Sequence, residues 1–560
     1  MRPRCSLVTL FFFLCGAAIA ADMPRDWTTW GYDASRTGWN QGETTLNKDN
    51  VSGLKLEWST QLNTPPRDVV LSTLTAPLVV AGVDTPQGQK NLLFTIGSND
   101  TIYAIDADTG KILWQKTFPN NLTPPRFATW LCSNSQNATP VIDKQKSIIY
   151  LNTTDGKLRA LSLSNGEERM TPTDFVTPFA RNWSLNLIDD MIISPSGRGC
   201  GGENAHDMTM ANISAMDVSD PAHPMLSRFY LSGGRAAGAW GRAGVVQGPK
   251  GIYMQTADGL ADPASGSWGQ TVIAMTPKPL RVVDSFTPSN WRYLNAKDFD
   301  LGDASPVIFP FQKRTLLASA AKQGVVYLLD ADALGGHYGD HSKPLYQSQP
   351  LGNDELLLGG RGVWGAMATY LDPQGNRFLY IPMWGPPSKN APHFPYSYDD
   401  APHGSVMAFR VVADGDNVSI APAWISRDMQ VPDPPVVANG VVYAIQTGEQ
   451  TIQNPTRPGG DSTESRPAAP PNPAAQAAMI AAMQGRGGPE AVKRAEESAK
   501  FRATPVSNLV LYAFDAETGK QLYSSEKTIP SWVHFSEPVV ALGKVFLVSW
   551  DAHVYAFGLK

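Results

Sequence analysis

An all-β chain closed into an eight-bladed β-propeller of four-stranded antiparallel sheets is the fold the sequence predicts. Three observations carry this: a repeated entry of small residues and Pro into a short apolar run, a repeated turn phrase that ends on a ring, and a composition heavy in turn formers. The entry recurs as Thr75-Ala76-Pro77-Leu78-Val79-Val80, Ala138-Thr139-Pro140-Val141-Ile142, Ile193-Ser194-Pro195, Ala304-Ser305-Pro306-Val307-Ile308, Pro434-Pro435-Val436-Val437 and Ser536-Glu537-Pro538-Val539-Val540. Gly and Pro supply 49 and 45 of 560 residues, about 17% against a usual share of roughly 12%. Turns must therefore be frequent.

Within each unit a second short run follows, then a Gly/Asn/Asp turn and a third run. Leu92 to Ile96, Gly97-Ser98-Asn99-Asp100 and Thr101 to Asp106 set the pattern, and it returns over 148–161, 315–330, 509–515 and 545–557. Short runs rich in Val, Ile and Tyr with such residues between them are antiparallel strands joined by hairpins. The third strand ends in Ala107-Asp108-Thr109-Gly110-Lys111-Ile112-Leu113-Trp114, repeated as Ala516-Glu517-Thr518-Gly519-Lys520-Gln521-Leu522-Tyr523. Asp and Thr-Gly make the tight turn into a fourth strand, and the ring four residues past the Gly docks between neighbouring sheets. A recurrent four-stranded sheet is a propeller blade. Counting entries at Pro77, Pro140, Pro195, Trp240, Pro306, Trp364, Pro435 and Pro538 gives eight. The last unit stops at Gly558 without a fourth strand, and Leu54-Lys55-Leu56-Glu57-Trp58 is an unpartnered strand that closes the ring.

With 42% hydrophobic and 17% charged residues and a mean hydropathy of −0.22, the chain reads as globular and not as a helical membrane protein. A net charge of −5 without a basic block gives no footprint for nucleic acid or an anionic membrane. Arg2 and Arg4, the apolar stretch 7–17 and Ala18-Ile19-Ala20 read as a signal peptide over 1–20 cut after Ala20, which places the protein in the periplasm or outside the cell. The propeller then spans 21–560. Of the cysteines left, Cys132 and Cys200 read first as a disulfide in an oxidising compartment, with a ligand or a reactive thiol as the other readings. Residues 450–507 turn to Pro, Gly, Ala and Ser and form a low-complexity insertion in the seventh blade. His337 and His341 lie among glycines, a loop and not a metal-binding helix face. No Cys-x-x-Cys-His haem motif, nucleotide loop or serine-hydrolase elbow occurs.

The Ala-x-Asp-x-x-Thr-Gly-x-x-x-Trp phrase, the entries and the eight-fold count resemble the pyrroloquinoline quinone (PQQ) repeat propellers, among them the quinoprotein alcohol dehydrogenases. That resemblance implies a Trp-Gly pair as the indole floor under the quinone, matched by Trp240-Gly241. It implies a Ca²⁺ ligand eighteen residues later, where Asp258 replaces the family's Asn and keeps an oxygen donor for a hard cation. Glu203, ahead of Ala215-Met216-Asp217, matches the metal-bridging Glu one residue further upstream than the family pattern. The catalytic Asp falls at Asp300 in Lys297-Asp298-Phe299-Asp300-Leu301-Gly302, with Asp298 as the close alternative, and Asp300 also falls within reach of the metal. Lys322 matches a cation that hydrogen-bonds the reactive carbonyls, and Arg126 an Arg that holds a cofactor carboxylate. The family's adjacent cysteine pair is absent, since Cys132 has Leu131 and Ser133 beside it; a Cys132–Cys200 bridge would have to cover the site from another direction.

Oxidising a hydroxyl through a quinone requires a base, a Lewis acid and a flat dry pocket, which is the set these residues would supply. The resemblance thus implies PQQ- and Ca-dependent oxidation of an alcohol or sugar-type hydroxyl, with electrons leaving to an external acceptor. The same repeats also build scaffold lipoproteins of the outer membrane, so the second reading is a non-catalytic propeller that holds another envelope protein.

Overall fold

The computed structural model describes residues 25–66, 72–123, 138–197, 201, 209–232, 237–335, 341–352, 361–450, 503–559 and single positions between 493 and 501. The expected signal peptide, Arg126, Cys132, Cys200, Glu203, His337 and nearly all of the insertion lie outside the described residues. Among those described, no helix is long and apolar enough to cross a membrane.

Eight antiparallel sheets form the blades of a ring, each built on four strands. The first seven span 78–117, 141–174, 186–230, 246–286, 307–347, 362–425 and 436–524. The eighth combines Val539–Ala541, Lys544–Val548 and His553–Leu559 with Leu54–Gln61, which pairs antiparallel to the last of these in the register Leu54↔Leu559 to Gln61↔His553. The expected closing strand is therefore in place. Inner strands of blades two and three, four and five, and five through eight in turn are neighbours, and that of blade eight lies beside that of blade one. One entry is corrected: Pro195 lies within Met191–Ser196, the second strand of blade three, whose first strand is Asn186–Ile188. The Ser-Pro there imitates an entry because Pro195 takes the strand's last-but-one position.

The turn phrase explains the blade packing. Trp58, Trp114 and Trp424 lie against Gly110, Gly166 and Gly519 of the next blade, where a Cβ would come within 2.7, 2.8 and 2.6 Å of each indole. Each Nε1 donates to the carbonyl three residues before that glycine, Ala107 at 3.2 Å, Leu163 at 3.1 Å and Ala516 at 3.0 Å. These glycines have φ near +70°, a region open to Gly at little cost. One short turn thus satisfies a backbone need and a docking need together.

Inside the ring runs a segment that the repeat pattern did not announce. Trp27 exchanges backbone hydrogen bonds with Val79 at 2.7 and 2.8 Å, and the carbonyls of Thr28, Ala34, Thr37 and Gly38 accept from Ile142, Gln247, Thr369 and Val437. Thr29 and Arg36 donate to Leu185 O, and Asn40 to Val540 O at 2.7 Å. In chain order this segment meets blades one, two, three, four, six, seven and eight. Trp30 packs at once on Ala76 and Ala243, which precede blades one and four, and on Ala366, just ahead of the strand Ala368–Leu371 of blade six, so its ring sits on the propeller axis. The channel is filled below the face that carries the connections described next.

Candidate cofactor and metal site

In a four-stranded blade the connections from strand two to three and from strand four to the next blade emerge on the same face. Asp258 follows Gly251–Gln255, the second strand of blade four, in a connection that folds into the small ribbon Ala261–Asp262 and Ser267–Trp268. Lys322 follows Arg314–Ser319, the second strand of blade five. Asp298, Asp300 and Asp303 lie on the link from blade four to blade five, and Trp240 just ahead of blade four. The topology alone delivers all six side chains to one face.

Local structure then fixes each of them. The helix Trp291–Lys297 ends with Asp298 in the left-handed region at φ +60°, and Phe299 N donates back to Leu294 O at 2.9 Å. This is the six-to-one closure of a helix C-terminus, and Asp tolerates the left-handed position better than most non-glycine residues. Three residues later a 3-10 turn over Leu301–Asp303 brings Asp303 round to the side of Asp300. Backbone hydrogen bonds tie the pieces together: Ala237 N to Asp258 O at 2.7 Å, Ala257 N to Gly238 O at 2.7 Å and Trp240 N to Gly302 O at 3.0 Å. Asn295 clamps the Asp258 loop by accepting from Gly259 N at 3.1 Å and donating to its carbonyl at 2.7 Å.

Asp258, Asp298 and Asp300 each offer a carboxylate oxygen, and these lie within 4.8 Å of one another. Asp300 Oδ1 accepts from Asp258 N at 3.1 Å, while its Oδ2 lies 2.8 Å from Lys322 Nζ. Lys322 Nζ is also 2.8 Å from Asp303 Oδ2 and 3.7 Å from Asp298 Oδ2. Burial, reinforced by the neighbouring carboxylates, pushes Asp300 well above the usual carboxylate range although Lys322 pulls it down. Burial also lifts Asp303 to about 6. Burial alone would lower Lys322, but Asp300, Asp303 and Asp298 outweigh it and hold the ammonium form well above its ordinary range. Among the described residues several acids and a single ammonium share one low-dielectric site, and hard oxygen donors packed this closely fit a hard cation.

Aromatic walls flank the carboxylates. The half-buried Trp240 ring lies against Gly197 and Gly238, where a side chain would collide with the indole, at 2.6 Å in the case of Gly197. Gly241 is pressed on the entry to blade five, its absent Cβ leaving room for Ser305 Oγ and Ala304 O. Lys322 Nζ stands 5.0 Å from the ring of Trp364, which stacks on Trp384 with centroids 5.0 Å apart and planes 13° apart. The structure therefore brings Trp240, Gly241, Asp258, Asp298, Asp300 and Lys322 to one place. Asp303 and Trp364 join them unforeseen; the first could have been found from its i+3 spacing to Asp300, whereas the second had been taken only as a blade marker.

Residues 27–175 match the family model described as the PQQ glucose/ethanol/alcohol dehydrogenase β-propeller domain. No curated protein matches the chain. Among solved structures, a quinohemoprotein alcohol dehydrogenase from Pseudomonas putida HK5 is 13% identical with a TM-score of 0.59, covering 97% of this chain and 81% of its own. A europium-containing methanol dehydrogenase is 13% identical at a TM-score of 0.58, with 95% and 98% covered. A quinohemoprotein alcohol dehydrogenase from Comamonas testosteroni is 14% identical at 0.55, with 96% and 81% covered. The chain has the PQQ-type propeller fold. At these identities the likeness is one of fold, and within the PQQ-type propeller it is the axial carboxylates, lysine and indole that bear on chemistry.

Proposed function

We propose that this propeller is a quinone-dependent dehydrogenase, which holds PQQ and a hard cation at the Trp240 face and oxidises an alcohol or sugar-type hydroxyl. The observation that carries the reading is the convergence of Asp258, Asp298 and Asp300 with Lys322 Nζ 2.8 Å from Asp300. When bound, the quinone supplies the two-electron acceptor and the cation, calcium or a trivalent ion like the europium named for one neighbour, supplies the Lewis acid. Asp258 and one of the two close carboxylates would hold the cation, with Glu203 and Arg126 as the further cation and carboxylate partners that the family resemblance implies. Asp300, or Asp298 in its place, takes the hydroxyl proton; a carboxylate lifted by burial is a stronger base than an exposed one. Lys322 fixes Asp300 and presents an ammonium to the developing charge. Trp240 is the flat floor and Trp364 a wall that excludes water. Electrons leave to an external acceptor, and the signal peptide read over residues 1–20 supports a periplasmic or extracellular setting.

Titrating the mature chain with PQQ, with and without Ca²⁺ or Eu³⁺, tests this through quinone absorbance, followed by dye reduction with a panel of alcohols and sugars. The expected outcome is stoichiometric, cation-dependent binding and turnover. Asp298→Asn and Asp300→Asn then separate the roles: the base variant keeps cation binding and loses turnover by about 10²-fold or more, while the ligand variant loses both. Absence of binding under every condition would overturn the reading and leave a propeller whose task is to hold another envelope protein.

A further inference from the structure

Three carboxamide side chains brace the loops that carry the carboxylates of the Trp240 face. Gln270 is fully buried, and its backbone stands at φ +50°, in the left-handed region that is costly for most residues other than glycine. Its Oε1 accepts from Leu301 N at 2.8 Å and its Nε2 donates to Asn295 Oδ1 at 2.9 Å. Asn295 carries the link onward: the same Oδ1 accepts from Gly259 N at 3.1 Å, and Nδ2 donates to Gly259 O at 2.7 Å. Gln255 holds the Leu301 carbonyl, its Nε2 donating there at 2.7 Å and to Ala320 O at 3.0 Å. A backbone N–H can only donate, so Leu301 and Gly259 fix which way round the Gln270 and Asn295 amides stand. Each carboxylate lies close along the chain to one of these bonds. Asp258 precedes Gly259, Asp300 precedes Leu301, and Asp298 N donates to Asn295 O at 3.4 Å. The loops also meet directly, since a Cβ on Gly302 would lie 2.5 Å from Ala257 N.

Carboxylate oxygens within 4.8 Å of one another repel, an effect that Lys322 offsets only in part, so their spacing depends on how stiffly the loops are held. Cavity size, ligand number and flexibility are what let a site choose between hard cations. Neutral amides suit this task, because they donate and accept at once and leave the charge of the site unchanged. Left-handed backbone at a residue such as Gln270 persists where its surroundings over-determine it, and it clusters at functional sites. We propose that Gln270 and Asn295 are positioning residues, which hold the loops of Asp258, Asp298 and Asp300 at one separation and so set the radius of cation that the site takes. The inference rests on the dehydrogenase reading in one respect, that a cation binds between these carboxylates. Neither amide is a ligand; each acts through the backbone at Gly259, Leu301 and the end of the helix Trp291–Lys297.

The test titrates the full mature chain, with PQQ present, by calorimetry with La³⁺ and Lu³⁺, two probes equal in charge and at opposite ends of the lanthanide size range. The parent is expected to favour one of them. Asn295→Ala and Gln270→Ala should each bind the favoured ion about 10–100-fold more weakly, the usual loss when an outer partner of a metal ligand is removed, and the other ion less so, which erases the preference. A merely structural role would weaken both ions alike, so a preference kept in both variants, or absent from the parent, overturns the assignment. No cation bound by the parent, Ca²⁺ included, would bring down the dehydrogenase reading and this inference with it. Should neither variant fold, crystals of the parent decide: the carboxylates are expected to keep one spacing with La³⁺ and with Lu³⁺, and a spacing that follows the size of the ion would refute the proposal.

Discussion

Glu537 shows what a single buried charge costs this molecule. It is 1% exposed, and its Oε1 accepts from Gly31 N at 2.8 Å and Trp27 Nε1 at 3.1 Å, which fastens the axial segment to the entry of blade eight. Burial lifts its carboxyl from 4.5 to about 8 against those two bonds and Arg36. Between these values the native state keeps a proton that the unfolded chain has released. Stability contributed here is therefore whole below about pH 4.5 and declines as pH rises towards 8. Glu537→Gln keeps the accepting oxygen and removes the titration, so unfolding midpoints of variant and parent should diverge steadily from pH 5 to 8 in the variant's favour. Parallel curves would show that Glu537 is ionised throughout. Nothing in the sequence marked this residue beyond its place in an entry phrase, because a buried acid and an exposed one are spelled alike.

Trp424, fully buried, with its ring over Gly519 and its Nε1 on Ala516 O, is the strongest of the three described blade clasps. Trp424→Ala should cost about 3–5 kcal/mol in urea unfolding, the range for large buried aromatics. Gly519→Ala should also destabilise, partly through φ +72° and partly because its Cβ would meet the indole at 2.6 Å. With the indole gone only the backbone strain of about 1 kcal/mol remains, so the double variant should be less than additive. Strict additivity would mean that the ring and the glycine do not meet. Clasps of this kind were legible in the sequence because a Gly, a ring and a fixed spacing serve both turn and packing. The entry at Pro195 was misplaced for the opposite reason: a three-residue signal, with no turn phrase behind it, does not distinguish a first strand from a second. The candidate site was half legible. Asp258, Asp300 and Lys322 sit in connections whose chain positions the blade count already fixed, and Asp303 was within reach through its i+3 spacing to Asp300, whereas Trp364 matters through contacts across blades that no local pattern records.

At the scale of the whole molecule, the segment 26–40 is the axle of the ring, hydrogen-bonded to seven blades in the order of the chain. A chain that starts at residue 41 should unfold at a markedly lower temperature and be cut readily by protease within the first strands; an unchanged midpoint would show that blade clasps alone hold the ring. The sequence hid this segment because its contacts pass through backbone carbonyls and show no hydrophobic period. The closing strand has a different consequence, one of timing. Leu54 pairs with Leu559, about five hundred residues later, and synthesis at about 5–20 residues per second puts roughly half a minute to a minute and a half between them. Throughout that interval Leu54–Gln61 waits with its edge unpaired. Lys55 and Glu57 on that strand place charges where a stray strand would dock, the device by which open edges resist wrong partners. The newest part of the chain rescues the oldest.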